Sequence, residues 1–427
     1  MERRRFLQNI GATAVGFSLL KSSMAGQLSA SAAAVGRVVV VGGGMAGTSV
    51  AKYLRFWGGT GVDVTLVEPN ATYISNIFSN MVLTGERSLT QLTYNYSILK
   101  SKYGVKVQNS SVTSIDPVGK QVKLSSGATL PYDRLVLAPG IDFESLPLTG
   151  TTTNQAKIVH AWKAGTQTTS LKNQIQSMTK SDTFILTIPP APYRCPPGPY
   201  ERACVVADYL KRTKGGGKVV ILDANPKILA EPINFTNAFN NTHRGIITYL
   251  PNAPVTSINA DTMTVVSAAG TFKGKVINAI PNHKAGNLIT TSGIGLANGL
   301  NGKWAAVNVL SYESTAIPGI HIIGDSSSTT QPKAGHIANA EAKVCADAII
   351  QVFKGGTINQ MPMTNSSCFT PITKTTASWL TAIYRYDTAS KTMLVTGDGV
   401  VESNGANSEN YEDMLKWFNN LMADTFA

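Results

Sequence analysis

The chain has 427 residues, 43% of them hydrophobic and 15% charged, and a formal net charge of +12. That length holds two or three domains with substantial cores, and the composition is that of a globular, lightly charged protein. Beyond the N-terminus no Lys/Arg cluster accompanies the positive charge, and no stretch is long and apolar enough to span a membrane. Nucleic acid and a membrane span are therefore excluded, and the field suits a small anion or an acidic protein partner.

Residues 1–34 read as a twin-arginine signal peptide. Arg3-Arg4-Arg5-Phe6-Leu7 is followed by a weakly apolar run from Ile10 to Leu20, and then by the small residues Ala30 to Ala34. Twin-arginine export moves folded proteins with cofactor already loaded, so the mature chain is expected in the periplasm, where disulfides persist. Losing Arg3, Arg4, Arg5, Lys21 and Glu2 leaves a balance of +9.

The next segment organises everything after it. Val38 to Val41 is wholly β-branched, as a strand buried on both faces requires. Gly42, Gly44 and Gly47 follow at fingerprint spacing, Thr48 to Phe56 reads as a helix, and Val62 to Val67 as a second strand ending in Glu68. In such a unit Gly42 makes the tight turn, Gly44 lets a pyrophosphate approach the backbone, and Gly47 lets helix and strand pack closely. The helix N-terminus offers N–H groups to phosphate, and Glu68 accepts from ribose hydroxyls. The unit predicts a bound dinucleotide.

Residues 69–87 are small and polar, as suits a segment passing the isoalloxazine of a flavin. Leu89 to Lys102 reads as a helix. Tyr132 to Ala138 is an apolar strand closing on Pro139-Gly140, the turn at which two-dinucleotide-domain flavoproteins cross into their second domain. That domain shows a strand at Phe184–Ile188, a helix at Ala203–Arg212 and a strand at Lys218–Asp223, but no glycine fingerprint. Between the first strand and the helix stands a loop rich in proline, Pro189 to Arg202, whose prolines lack the N–H donors a second pyrophosphate needs. One cofactor is inferred, FAD, with no NAD(P)H site. Ile317 to Asp325 is the second flavin signature: Asp325, after Gly324, is placed for a ribityl hydroxyl, and Ala338 to Lys354 is the following helix. The domains are read as 35–150 and 286–355 for FAD, 151–285 for a second Rossmann-like domain, and 356–427 for a small C-terminal interface domain ending in a helix over Glu409–Met422.

Four cysteines remain to be placed. Cys204 and Cys345 lie in predicted helices and read as buried thiols. Cys195 and Cys368 lie in loop contexts, and in an exported protein they can pair. Two readings stay open: a structural staple, or a redox disulfide facing the flavin. Glu201, in the same stiff loop as Cys195, is a candidate acid/base or a helix N-terminal charge.

These residues resemble the flavin-binding subunit of flavocytochrome c sulfide dehydrogenases. The likeness runs through Arg37 to Gly47, Val64 to Asn70, His160 to Gly165, Gly319 to Asp325, Ala382 to Arg385 and Trp417 to Asn420, and is most specific in Cys195-Pro-Pro-Gly-Pro-Tyr-Glu-Arg202. The resemblance implies an α/β fold of two Rossmann-like domains, glutathione-reductase-like, plus a small C-terminal α+β domain. It further implies a redox disulfide between Cys195 and Cys368, Glu201 as acid/base, and Trp417 near the flavin. Well-known members attach FAD through a cysteine where this chain has Asn76, so the flavin is expected to be noncovalent. No Cys-x-x-Cys-His occurs, so any haem belongs to a c-type cytochrome partner. The implied enzyme oxidises hydrosulfide and passes electrons through FAD to that cytochrome. Two alternatives are a sulfide:quinone oxidoreductase, with the C-terminal helix as its apolar surface, and a non-catalytic accessory flavoprotein of a sulfur-oxidising complex.

Overall fold

The computed structural model describes residues 36–397 and 399–427, and residues 35–427 form one compact unit. The leader read over residues 1–34 lies outside the described residues.

The valine strand becomes Gly36–Val41, at the centre of five parallel strands. Val62–Val67 and then Lys106–Gln108 lie to one side, Arg134–Leu137 and Ile320–Ile322 to the other. Its register with both neighbours buries Val38 to Val41, which is why every position is apolar. The chain thus leaves this sheet after residue 137 and returns to complete it near residue 320. Helices Met45–Gly58 and Gly335–Phe353 pack together on one face. The intervening chain builds a second parallel sheet in the order Ile247–Leu250, Lys218–Asp223, Thr183–Ile188, Val276–Ala279. The crossing between sheets is an antiparallel pair, Ile141–Phe143 with His283–Ala285.

The C-terminal segment is a long antiparallel hairpin, Met363–Pro371 with Ala377–Asp387, followed by the helix Ser408–Phe426. Met414, Phe418, Leu421, Met422 and Phe426 of that helix are buried in the same core as Val38, Leu54 and Ile349. Its apolar face is therefore covered inside the protein. Among the described residues no helix is long and apolar enough to cross a membrane.

The structure corrects four local expectations. Leu89–Lys102 is no continuous helix: a single 3-10 turn precedes the strand Thr93–Asn95, which pairs with Thr72–Ile74, and only Ser97–Ser101 is helical. Asn95 Oδ1 accepts the Ser97 N–H at 2.9 Å, a local side-chain turn that ends the strand. Cys368 lies within a strand, opposite Leu380, and not in a loop. The helix after the proline loop begins at Gly198, so Glu201 and Arg202 stand in its first turns; Pro199 fits there because first-turn N–H groups have no helical partner. Gly324 to Ser326 is one 3-10 turn, and the long helix starts at Gly335, three residues before the Ala338 start read from the sequence.

Candidate active site

A cavity of about 890 Å³ runs from the glycine fingerprint to the C-terminal helix. At one end, Gly42 has φ +104, and a Cβ there would lie 2.4 Å from the Ala138 carbonyl oxygen. A Cβ on Gly47 would lie 1.8 Å from the Gly42 carbonyl oxygen, so this position allows no side chain. Gly44 differs: its Cβ would enter open cavity, with the nearest atom at 3.9 Å. Gly42 and Gly47 hold the turn together, and Gly44 keeps a cradle clear. Glu68 also lines the cavity, its Oε2 accepting Gly43 N–H at 2.7 Å and its Oε1 accepting Asn70 N–H at 2.9 Å. Oε1 also accepts Asn70 Nδ2–H at 2.6 Å, so Oε2 is the oxygen that keeps a second lone pair for a ligand hydroxyl.

In the middle, Pro139 and Gly140 form a wall. Gly140 O accepts Gly286 N–H at 2.8 Å and the Ser326 hydroxyl, tying the crossing to the Gly324–Ser326 turn. Asp325 faces the cavity without a side-chain hydrogen bond among the described residues, and burial raises its carboxyl against the pull of Arg194 and Lys333. Asn76 Oδ1 accepts the Ala164 N–H at 2.8 Å. At the far end Trp417 lines the cavity with its indole Nε1 buried and unpartnered. An open glycine cradle, a free carboxylate and an orphaned donor are what FAD would fill, and the residues present fit it.

The chemistry is concentrated where the second domain meets the C-terminal hairpin. Cys195, Cys368 and Glu201 all line the same cavity. Both cysteines are free thiols in this structure. The Cys195 loop is pinned on every side: its own N–H donates to Lys333 O at 2.7 Å, Arg194 N–H donates to His283 Nδ1 at 2.9 Å, and Trp162 Nε1–H donates to Arg194 O at 3.1 Å. Cys195 itself has φ 60. A Cβ on Gly198 would sit 2.8 Å from the Cys195 sulfur, so this glycine makes room for it. Burial and the nearby Glu201 push the Cys195 thiol well above the ordinary range, and burial with Glu231 and Glu201 pushes Cys368 up to about 12. Protonated thiols are thus favoured over thiolates at this wall.

Glu201 is buried, and its carboxyl is raised to about 7 by burial, against a 2.9 Å hydrogen bond donated by Asn80 Nδ2. A carboxyl raised to that value is able to exchange a proton near neutral pH as well as to face the helix terminus. The sequence reading missed its supports. Arg202, fully buried, donates to Asn80 Oδ1 (2.8 Å), Asn278 Oδ1 (2.8 Å), His160 O (2.8 Å) and Ala161 O (2.9 Å), and lies 4.6 Å from the Trp162 ring centre. Arg202 stands in the diagnostic motif and had a signal; Asn80 and Asn278 had none.

In the second domain the acid at the strand end is engaged within the protein. Asp223 ends the strand where a Rossmann unit places its ribose acid. Here the buried carboxylate accepts the hydroxyls of Tyr200 (2.8 Å) and Tyr249 (2.9 Å), as well as the Asn225 N–H (2.9 Å). Anaerobic NADH or NADPH is expected to leave the oxidised flavin band unchanged; rapid bleaching would contradict this assignment.

Three family models match parts of the chain. They are pyridine nucleotide-disulphide oxidoreductase over residues 36–180, the central part of the sulfide dehydrogenase [flavocytochrome c] flavoprotein chain over 168–281, and flavocytochrome c sulphide dehydrogenase, flavin-binding, over 360–426. The sulfide dehydrogenase flavoprotein chain of Chlorobaculum thiosulfatiphilum is 54% identical over 46 residues, covering 11% of this chain and 94% of that sequence. Ferroptosis suppressor protein 1 of Taeniopygia guttata is 34% identical over 106 residues, 25% of this chain. The chain spans only about a quarter of the length of the first curated relatives it matches, 27% and 28%. Among solved structures, the sulfide:quinone oxidoreductase from Aquifex aeolicus aligns with a TM-score of 0.72 at 17% identity, covering 92% of this chain and 91% of that one. The putidaredoxin reductase–putidaredoxin complex aligns at 0.64 and 17% identity, covering 89% and 92%.

Fold and cavity together define a flavin-binding protein with an α/β dinucleotide-binding fold and an added C-terminal domain. The chain belongs to the flavocytochrome c sulfide dehydrogenase flavoprotein family.

Proposed function

We propose that this protein is an exported FAD-dependent sulfide dehydrogenase that oxidises hydrosulfide through a Cys195–Cys368 disulfide and delivers the electrons to a c-type cytochrome. The observation that carries this reading is the convergence of Cys195, Cys368 and Glu201 on one FAD-sized cavity. Gly44, Glu68, Asp325 and Trp417 are the residues that would hold the cofactor, and Asn76 in place of a thiol supports noncovalent binding. The chemistry FAD supplies when bound is acceptance of an electron pair and its release one electron at a time.

The rest falls to the protein's own groups. Hydrosulfide attacks one sulfur of the disulfide; the S–S bond breaks, a persulfide forms on the attacked cysteine, and the other sulfur leaves as thiolate. Glu201 takes the proton of the attacking sulfur and, with a carboxyl near 7, returns it to solvent. Each hydrosulfide oxidised to zero-valent sulfur releases one proton and two electrons. The leader at Arg3 to Leu7 supports export, and the positive mature chain favours an anionic substrate. The buried apolar face of the C-terminal helix favours a cytochrome over a membrane quinone as acceptor.

Purified holoprotein is expected to reduce a c-type cytochrome with sulfide as sole donor. No turnover, with stimulation of a separate sulfur-oxidising enzyme, would favour the accessory reading. Glu201→Gln should slow turnover about 100-fold. The wild-type rate should rise as pH passes about 7, where the base ionises, and the ratio of wild type to variant should show the same rise. Hydrosulfide's own ionisation cancels in that ratio, so a flat ratio would remove Glu201 from the scheme.

A further inference from the structure

Behind the wall that carries Cys368 lies a carboxyl the scheme above does not use. Glu231 is 1% exposed and holds left-handed backbone, φ 50, just before the short helix Pro232–Asn237. Its Oε1 faces Thr370 Oγ1 at 2.7 Å, its Oε2 faces Ser378 Oγ, and the two hydroxyls lie 2.9 Å from each other. Thr370 and Ser378 are direct cross-strand partners, which fixes that last spacing.

Three groups therefore close a ring of three oxygen–oxygen contacts. Two hydroxyls bring two protons to it. An ionised carboxylate only accepts. Both hydroxyl protons would then point at the carboxylate, and the Thr370–Ser378 contact would set lone pair against lone pair. A protonated carboxyl supplies the third proton, and every contact becomes a hydrogen bond. Burial acts in the same direction, raising this carboxyl to about 8 against the two hydroxyls that oppose the shift.

The ring is coupled to the site. Thr370 is two residues from Cys368, on the same side of the strand, and lines the cavity with it. An ionised Glu231 is the largest charge opposing a thiolate at Cys368. The other titratable groups felt around it are Glu402 on the Val401–Glu402 strand, and Glu201 and Cys204 on the helix behind the cavity. Glu402 is occupied with the N–H groups of Ile233 and Asn234.

We propose that Glu231 is a positioning residue held as a neutral carboxylic acid, and that its proton removes the largest negative charge that would oppose a thiolate at Cys368. The thiolate's part in turnover rests on the proposed function; the protonation of Glu231 does not. When base removes the proton, water forms and the carboxylate left behind opposes the Cys368 thiolate.

The test uses dithiol-reduced holoprotein, with iodoacetamide labelling of Cys368 followed peptide by peptide by mass spectrometry across neutral to alkaline pH. In wild type the rise of labelling with pH should flatten above about 8. Glu231→Gln keeps a neutral group that donates once and accepts once, so the ring stays closed. Its profile should show no such break, and Cys368 should label about threefold to tenfold faster than wild type once Glu231 is ionised. Infrared spectra of wild-type holoprotein at neutral pH should contain a protonated carboxyl stretch that Glu231→Gln lacks. Matching profiles, or no such band in wild type, would overturn the proposal. Neither readout uses sulfide: both results without sulfide oxidation would overturn the proposed function and leave this inference standing.

Discussion

Sulfide added anaerobically to Cys195→Ser holoprotein should leave the flavin oxidised, a loss of about 1000-fold or more in the rate of bleaching. The substitution changes little else. The Cys195 N–H still reaches Lys333 O, Trp162 Nε1 still reaches Arg194 O, and the space left by Gly198 accepts a hydroxyl as readily as a thiol. FAD should therefore stay bound, with only the disulfide made impossible. Cys368→Ser should behave in the same way. Cys204→Ser and Cys345→Ser should bleach normally, since both thiols are fully buried in helices away from the cavity wall. Sulfide-dependent bleaching retained in Cys195→Ser would count decisively against the scheme.

Two glycines of the fingerprint should fail in different ways. Gly47→Ala puts a methyl group 1.8 Å from a backbone oxygen, and neither the Gly42 carbonyl nor the helix can yield without opening the first turn. Overpacking costs of about 1–3 kcal/mol are usual, and a backbone clash of this kind belongs at or above that range. The variant should lose several degrees of thermal stability and purify without yellow colour. Gly44→Ala meets nothing closer than 3.9 Å, so its apoprotein should melt like wild-type apoprotein. Its methyl group nevertheless occupies the cradle a pyrophosphate would enter, and FAD affinity should fall about tenfold or more. Thermal melts with and without added FAD separate the two effects. Equal loss of apoprotein stability in both variants would refute the division of roles.

Why the sequence announced some of this and not the rest follows from the range over which each feature is determined. Val38 to Val67 is local: β-branched residues, three spaced glycines and an acid at a strand end suffice, and the strand–turn–helix–strand unit forms as read. The absence of a second fingerprint was equally legible, because prolines standing where phosphate-binding N–H groups belong carry their own chemistry. Leu89–Lys102 was misread because its apolar spacing mimics a helix, while Thr93 to Asn95 are drawn into pairing with Thr72–Ile74 and Tyr94 stacks on Phe426, contacts set by distant chain. Cys368 looked like a loop residue because polar Thr, Asn and Ser surround it; those hydroxyls instead serve a strand whose inner face needs them, Thr370 and Ser378 against Glu231 above all. Asn80 and Asn278 could not be singled out at all, since each earns its place only when Arg202, 122 and 76 residues away along the chain, is folded against it.

The proposed chemistry requires two sulfurs to form a bond across one cavity. Air-oxidised holoprotein, alkylated without reduction, digested and mapped by mass spectrometry, reads that bond directly. A single cross-linked species joining the peptides of Cys195 and Cys368 is the predicted result. Recovery of both residues as separate alkylated thiols would contradict it.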